Sequence, residues 1–145
     1  MQIFIDADAC PVTDIAVSVA KKLNVPCTLL CDTAHVICRG GVKTLTVSKG
    51  ADSVDFKLVN MITAGDVAVT QDYGLAAMCL AKGAHVIHQD GLLYTADNID
   101  GLLFKRYAGK KARQSGIRLK GPRKRTHEQD IAFEKAFTKL LESLI

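Results

Sequence analysis

The stretch Ile3-Phe4-Ile5-Asp6-Ala7-Asp8-Ala9-Cys10-Pro11-Val12 decides how this chain reads. A short apolar run ends in two aspartates spaced by one residue, and a proline follows. Gln2 to Asp6 is too apolar for a surface strand and predicts one buried on both faces. Pro11 suits the first position of a helix, with Cys10 as its N-cap. Val12, Ile15, Ala16, Val19 and Leu23 then keep helical spacing, with Lys21 and Lys22 at the end the helix dipole favours. In an open α/β sheet, such a turn delivers carboxylates to the carboxyl end of a strand, where these folds bind ligands.

Cys27 to Cys31 predicts a second strand, Asp32 to Gly41 a loop, and the alternating β-branched Lys43 to Val47 a third strand. A helix is expected over 53–63, with Val54, Leu58, Met61 and Ile62 as its apolar stripe. Asp66 to Thr70 reads as a fourth strand, closed by Gln71-Asp72. Leu75 to Leu80 forms a short helix ended by Gly83, and Ala84 to His88 a fifth strand. A further helix begins near Asp97 and closes at Ser115-Gly116. Thr126-His127-Glu128-Gln129 is a capping-box pattern opening a last helix over 127–144. Its stripe of Phe133, Phe137, Leu140, Leu141 and Leu144 predicts that it docks on the body. Strands alternating with helices imply a three-layer α/β/α domain, with a mostly parallel sheet of about five strands and C-terminal helices.

Length and composition agree. The 145 residues, 48% hydrophobic and 23% charged, predict one globular domain over 1–145, without repeats or linkers. No run approaches the ~18–20 apolar residues of a membrane span. No basic segment precedes the first apolar run, so the expected compartment is the cytoplasm and no membrane partner is expected.

Five cysteines in such a chain read as buried free thiols. Cys27, Cys31, His35 and Cys38 have a superficial zinc spacing. Two residues four apart on a strand, however, stand ~13 Å from one another at ~3.3 Å per residue. Zinc thiolates must both lie ~2.3 Å from the metal, so no zinc is expected.

The net charge of +4 hides an asymmetry. Residues 1–100 carry seven Lys/Arg against eleven aspartates, whereas residues 101–145 carry twelve Lys/Arg against four acids. Between Gly101 and His127 there are ten basic residues and no acid. The bland reading is a solvated face. The functional one is contact with an anionic polymer, RNA or DNA, through Lys105, Arg106, Lys110, Lys111, Arg113, Arg123, Lys124 and Arg125.

The acids supply the chemistry. Asp6 and Asp8 follow the first strand, Asp72 follows the fourth, and Asp52 and Asp55 share a face at a helix start. Carboxylates gathered from separate elements repel one another unless a cation lies between them. Their hard oxygens suit Mg²⁺ or Mn²⁺, which could activate water against a phosphodiester. Asp6, Asp8, Asp55 and Asp72 are therefore the candidate catalytic residues, and these with Asp52 the candidate metal ligands. Bland roles compete: Asp52 and Asp55 suit a helix dipole, and Asp8 and Asp72 could be N-caps. Asp6 has less excuse, because a carboxylate ending a buried strand is costly unless paired or metal-bound.

A resemblance sharpens this reading. Asp6-Ala7-Asp8-Ala9-Cys10-Pro11-Val12 closely resembles the opening of the YaiI/YqxD-like family of uncharacterised bacterial proteins. Gly50-Ala51-Asp52-Ser53-Val54-Asp55 and the run from Gly65 through Asp72 to Ala76 look like its central motifs. Gly116-Ile117 followed by Gly121-Pro122 is similar to its C-terminal signature. The family in turn looks like a divergent branch of the PIN-like metal-dependent nucleases. That resemblance implies an aspartate after strand one (Asp6), one at a helix start before an apolar residue (Asp55 before Leu58), and a Thr-x-Asp (Thr70-Gln71-Asp72). PIN nucleases usually place a glutamate on an intervening helix; here none precedes Glu128, and Asp8 is the substitute at hand. Lys120-Gly121-Pro122 also departs from the paired glycines of the family signature.

The expected function is Mg²⁺- or Mn²⁺-dependent nuclease chemistry on single-stranded RNA or DNA. The alternative is a non-catalytic nucleic-acid-binding or assembly module with a reduced acidic site. A haloacid-dehalogenase-type phosphatase would use Asp6 as nucleophile and Asp8 as acid. Against it, Cys10 stands where that motif wants Thr or Val, and Asp66 precedes a strand where its later acidic motif should follow one. A Cys10 nucleophile is opposed by the adjacent carboxylates.

Overall fold

The computed structural model describes residues 1–32, 39–48, 53–118 and 124–145. Its elements are β1 (Ile3–Asp6), α1 (Thr13–Lys22), β2 (Cys27–Asp32), β3 (Lys43–Val47), α2 (Ser53–Met61), β4 (Val67–Val69), α3 (Tyr73–Ala81), β5 (His85–Ile87), β6 (Leu93–Tyr94), α4 (Ala96–Gln114) and α5 (His127–Leu144). One six-stranded sheet has the order β3-β2-β1-β4-β5-β6. Its pairs are parallel except the last, β5 with β6.

Strand periodicity divides the interior into two cores. Ile3 and Ile5, Leu29 and Cys31, Val67 and Val69, and Ile87 pack on one face with α1 and α5. Phe4, Leu30, Ala68 and Val86 point the other way, against α2, α3 and the start of α4. The domain is thus three-layered, and the apolar Ile3-Phe4-Ile5 run is explained by burial on both sides. α5 docks through Phe133, Phe137 and Leu141, all fully buried, as its stripe predicts. The Thr126 capping box is present, with Thr126 Oγ1 accepting from the Gln129 backbone N–H and the Gln129 side chain accepting from the Thr126 N–H.

The differences from the sequence reading have local causes. The sheet has six strands and not about five, because β6 is only two residues long and carries no periodicity. It pairs antiparallel with β5 after the turn at Gly91, whose φ is +94°. A Cβ at Gly91 would meet the Ala132 carbonyl oxygen at 2.8 Å, so the turn presses directly on α5. The first helix starts at Thr13 with Val12 as N-cap, not at Pro11 with Cys10. Residues Ala7 to Cys10 form a tight turn, with Ala9 at φ +55° and the Cys10 N–H donating to the Ala7 carbonyl. The second strand runs one residue further, to Asp32. Asp66 lies just before β4, where its carboxylate accepts from the backbone N–H groups of Gln2 and Thr63 and from the Thr63 hydroxyl, each at 3.0 Å.

Cys27 and Cys31 lie on β2, the strand placement that argues against a shared zinc; His35 and Cys38 fall outside the described residues. So do Asp52, Arg123 and the Gly121-Pro122 pair. Among the described residues, no helix is long and apolar enough to cross a membrane.

Candidate functional site

From β1 the chain returns through α1 to β2 on one side; from β4 it returns through α3 to β5 on the other. Their carboxyl ends therefore flank the point where the winding reverses, the crevice such sheets use for ligands. A cavity of about 420 Å³ opens there. Asp6, Asp8, Asp55 and Asp72 all line it, with Asp32, Ser53, Gln71, Tyr73 and Arg106. Four of the five acids singled out in the sequence are thus brought together; the fifth, Asp52, falls outside the described residues.

Each carboxylate arrives for a separate local reason. β1 and β4 pair Ile5 with Val69, so the next residues, Asp6 and Thr70, lie side by side. The Thr70 hydroxyl donates to Asp6 Oδ2 at 2.9 Å and accepts from the Asp72 N–H at 3.0 Å. One buried hydroxyl thereby joins the two strand-end aspartates. Behind it, the Tyr94 hydroxyl donates to the Thr70 carbonyl at 3.2 Å.

Asp72 is also the N-cap of α3: its Oδ1 accepts from the Gly74 N–H at 2.8 Å and the Leu75 N–H at 3.2 Å. The helix-cap and site readings of this residue are compatible. Gly74 has a reason to lack a side chain, because a Cβ there would stand 3.3 Å from Asp72 Oδ1. Arg106, reaching from α4, places Nη1 3.3 Å from the same oxygen. Asp8 faces β2, and both its carboxylate oxygens accept from the Asp32 N–H at 3.2–3.3 Å. Asp55 comes from the first turn of α2.

The electrostatics single out Asp6. Burial, partly offset by the Thr70 hydrogen bond and reinforced by the charges of Asp55, Asp8 and Asp72, pushes its carboxyl up to about 7. Burial also pushes the Cys10 thiol up, away from thiolate, which disfavours it as a nucleophile. The donor set is all oxygen, suited to a hard cation and not to zinc. Among the described residues, no three acidic, histidine or cysteine side chains converge closely enough to hold one ion directly. Mg²⁺ commonly keeps several waters and takes one or two carboxylates, so a hydrated ion fits what the pocket offers.

Asp32 was missed. It follows the buried run Leu29-Leu30-Cys31 as Asp6 follows Ile3-Phe4-Ile5, and the same strand-end rule would have found it.

The basic residues separate. Lys105, Arg106, Lys110, Lys111 and Arg113 all lie exposed on α4. Arg106 alone of these lines the acidic cavity, whereas the Lys111 ammonium stands 5.8 Å from the Tyr107 ring centroid. Lys124 is exposed. Arg125 turns inward, giving Nε to Asp130 at 2.7 Å, Nη1 to Asp90 at 2.5 Å and Nη2 to the Gln89 carbonyl at 2.8 Å. Its geometry is that of a clasp between the β5–β6 turn and α5.

Fold and site together define a three-layer α/β protein with an acidic pocket at the switch point of its sheet. The profile of the family described as uncharacterized BCR, YaiI/YqxD family matches residues 4–143, and the chain belongs to that family. A UPF0178 protein of Clostridium acetobutylicum is 52% identical over 143 residues, covering 97% of each chain. One of Ruminiclostridium cellulolyticum is 54% identical over 136 residues, covering 94% of this chain and 89% of the relative. One of Exiguobacterium sibiricum is 48% identical over 141 residues, covering 97% and 96%. No solved structure matches the chain.

Proposed function

We propose that this is a PIN-like domain whose acidic pocket hydrolyses phosphodiester bonds of RNA or DNA with Mg²⁺ or Mn²⁺. The observation that carries the reading is the meeting of Asp6, Asp8, Asp55 and Asp72, from separate elements, in one pocket at the switch point. The resemblance of Asp6, Asp55 and Thr70-Gln71-Asp72 to the PIN pattern points the same way. Asp6 and Asp72, joined through Thr70, would hold the ion, with Asp8 and Asp55 assisting and Asp52, outside the described residues, as an alternative ligand. When bound, such an ion polarises a phosphoryl oxygen and lowers the pKa of its water.

The chain's own residues do the remainder. The Thr70 hydroxyl orients Asp6, and the α3 N-terminus fixes Asp72 through two N–H donors. Arg106 offers a guanidinium at the pocket edge, suited to a phosphate. The glutamate absent before Glu128 is replaced by Asp8, which stands against Asp32 at the end of β2.

The test is cleavage of end-labelled single-stranded RNA and DNA with and without Mn²⁺. Cleavage is expected with Mn²⁺, is expected to stop on chelation, and is expected to fall more than ~100-fold in Asp72→Asn, since even outer partners of metal ligands are worth ~10–100-fold. Absence of cleavage in the wild type overturns the hydrolase reading.

A second reading is favoured by the Arg106–Asp72 pair and by the lack of a direct three-acid cluster among the described residues. It is a non-catalytic nucleic-acid-binding module. That module would bind in a salt-sensitive manner, retain binding in Asp72→Asn, and cleave nothing.

A further inference from the structure

Beside the acidic pocket, α3 and α4 enclose a second concavity of about 610 Å³. Tyr73, Lys105, Arg106, Gly109 and Arg113 are among its lining residues, and among the described residues no acid lines it. Tyr73 and Arg106 line both cavities, so the two adjoin, with Arg106 between them. The small residues Ala108, Gly109 and Ala112 also line the groove.

Tyr73 is the first residue of α3, directly after Asp72, and is partly exposed. Its ring is backed edge-on by Tyr94 at 6.0 Å and at a tilt by His88 at 6.4 Å between centroids. The result is a supported aromatic ring beside three cations, adjoining a pocket of carboxylates.

We propose that this groove binds the single-stranded nucleic acid flanking the reactive phosphate, with a base stacked on Tyr73 and backbone phosphates paired to Lys105 and Arg113. The link to a reactive phosphate rests on the hydrolase reading of the acidic pocket; the binding itself does not. An unpaired base offers its face to an aromatic ring, whereas a duplex keeps that face within its own stack, so the groove selects single strands. The cations neutralise the backbone, and their attraction draws towards the acids a polyanion that the acids alone would repel. Arg106 then marks where the strand passes from groove to pocket.

Fluorescence anisotropy with labelled oligothymidylate, single-stranded and as a duplex, in the presence of chelator, reads binding without cleavage. The wild type is expected to bind the single strand more tightly. Tyr73→Ala is expected to weaken it roughly tenfold or more, and Tyr73→Phe, which keeps the ring, to restore most of the loss. Replacing Lys105 and Arg113 together by alanine is expected to reduce the slope of log affinity against log salt by about 1.4, at ~0.7 per single-strand phosphate contact.

Should Tyr73→Ala fold poorly, Ala108→Glu carries the test from an exposed position on α4. It is expected to weaken binding at least about tenfold. Ser18→Glu, the same charge change on α1 across the sheet, is expected to leave affinity within about twofold. The proposal is overturned if Ala108→Glu binds as well as Ser18→Glu, if Tyr73→Ala matches Tyr73→Phe, or if duplex binds as tightly as single strand. Tyr73-dependent binding without Mn²⁺-dependent cleavage upholds the groove and removes the hydrolase. Cleavage indifferent to Tyr73 removes the groove and upholds the hydrolase.

Discussion

Asp6→Asn is expected to be more stable than the wild type at about pH 8, by on the order of 4 kcal/mol, and equal to it well below about pH 4. The sign follows from proton binding. The Asp6 carboxyl is raised from 3.8 to about 7, chiefly by burial. Between those values the folded chain holds a proton that the unfolded chain has released. Wild-type stability therefore falls with rising pH across that window, and the cost is complete once the folded carboxyl has ionised. Asparagine carries no charge to bury, and its side-chain oxygen can still accept from the Thr70 hydroxyl. Taking the wild type minus Asp6→Asn cancels other titrations, among them that of His88, whose imidazole is held below its ordinary range first by burial. Urea denaturation across this pH range measures the difference. Mn²⁺ is expected to reverse it by stabilising the wild type alone. A difference that does not grow from acid to pH 8 contradicts the electrostatic description of the site.

Phe137→Ala is expected to cost about 3–5 kcal/mol, a large share of the ~5–15 kcal/mol typical of a folded domain. Phe133 and Phe137 are both fully buried, with ring centroids 5.1 Å apart and planes 17° from parallel. They fill the face of the sheet that carries Ile3, Ile5, Val67 and Val69, which among the described helices only α1 shares with α5. Truncation removes apolar burial and leaves a cavity that rigid strands cannot close. Because β1 borders this core and ends at Asp6, loosening α5 also loosens the strand that carries the site. Chemical denaturation checks the figure; a loss below about 1 kcal/mol would show that α5 is not integral to the core.

What the sequence disclosed follows the range of the interactions involved. β1, the capping box at Thr126 and the α5 stripe were legible because each is written in neighbouring residues. The convergence of Asp6 and Asp72 was legible through parallel-sheet logic. Thr70 appeared in the sequence as part of a motif; its hydroxyl between the two acids became visible only with the β1–β4 register. Asp32 was hidden because the polar residues after Cys31 read as a loop, whereas pairing with β3 extends the strand by one residue. The start of α1 was misplaced because the Ala9 turn uses the residues that resembled a cap. Charge counting treated the basic run as uniform. Arg125, however, pairs with Asp90, thirty-five residues away, while Arg106 reaches the acids, a distinction that tertiary contacts alone make.

The most direct test of the central claim is anomalous diffraction at the manganese edge from Mn²⁺-soaked crystals of wild type and Asp6→Asn. A peak is expected beside Asp6 and Asp72 in the wild type, and its loss in the variant. No peak at that sheet edge in the wild type would contradict that claim.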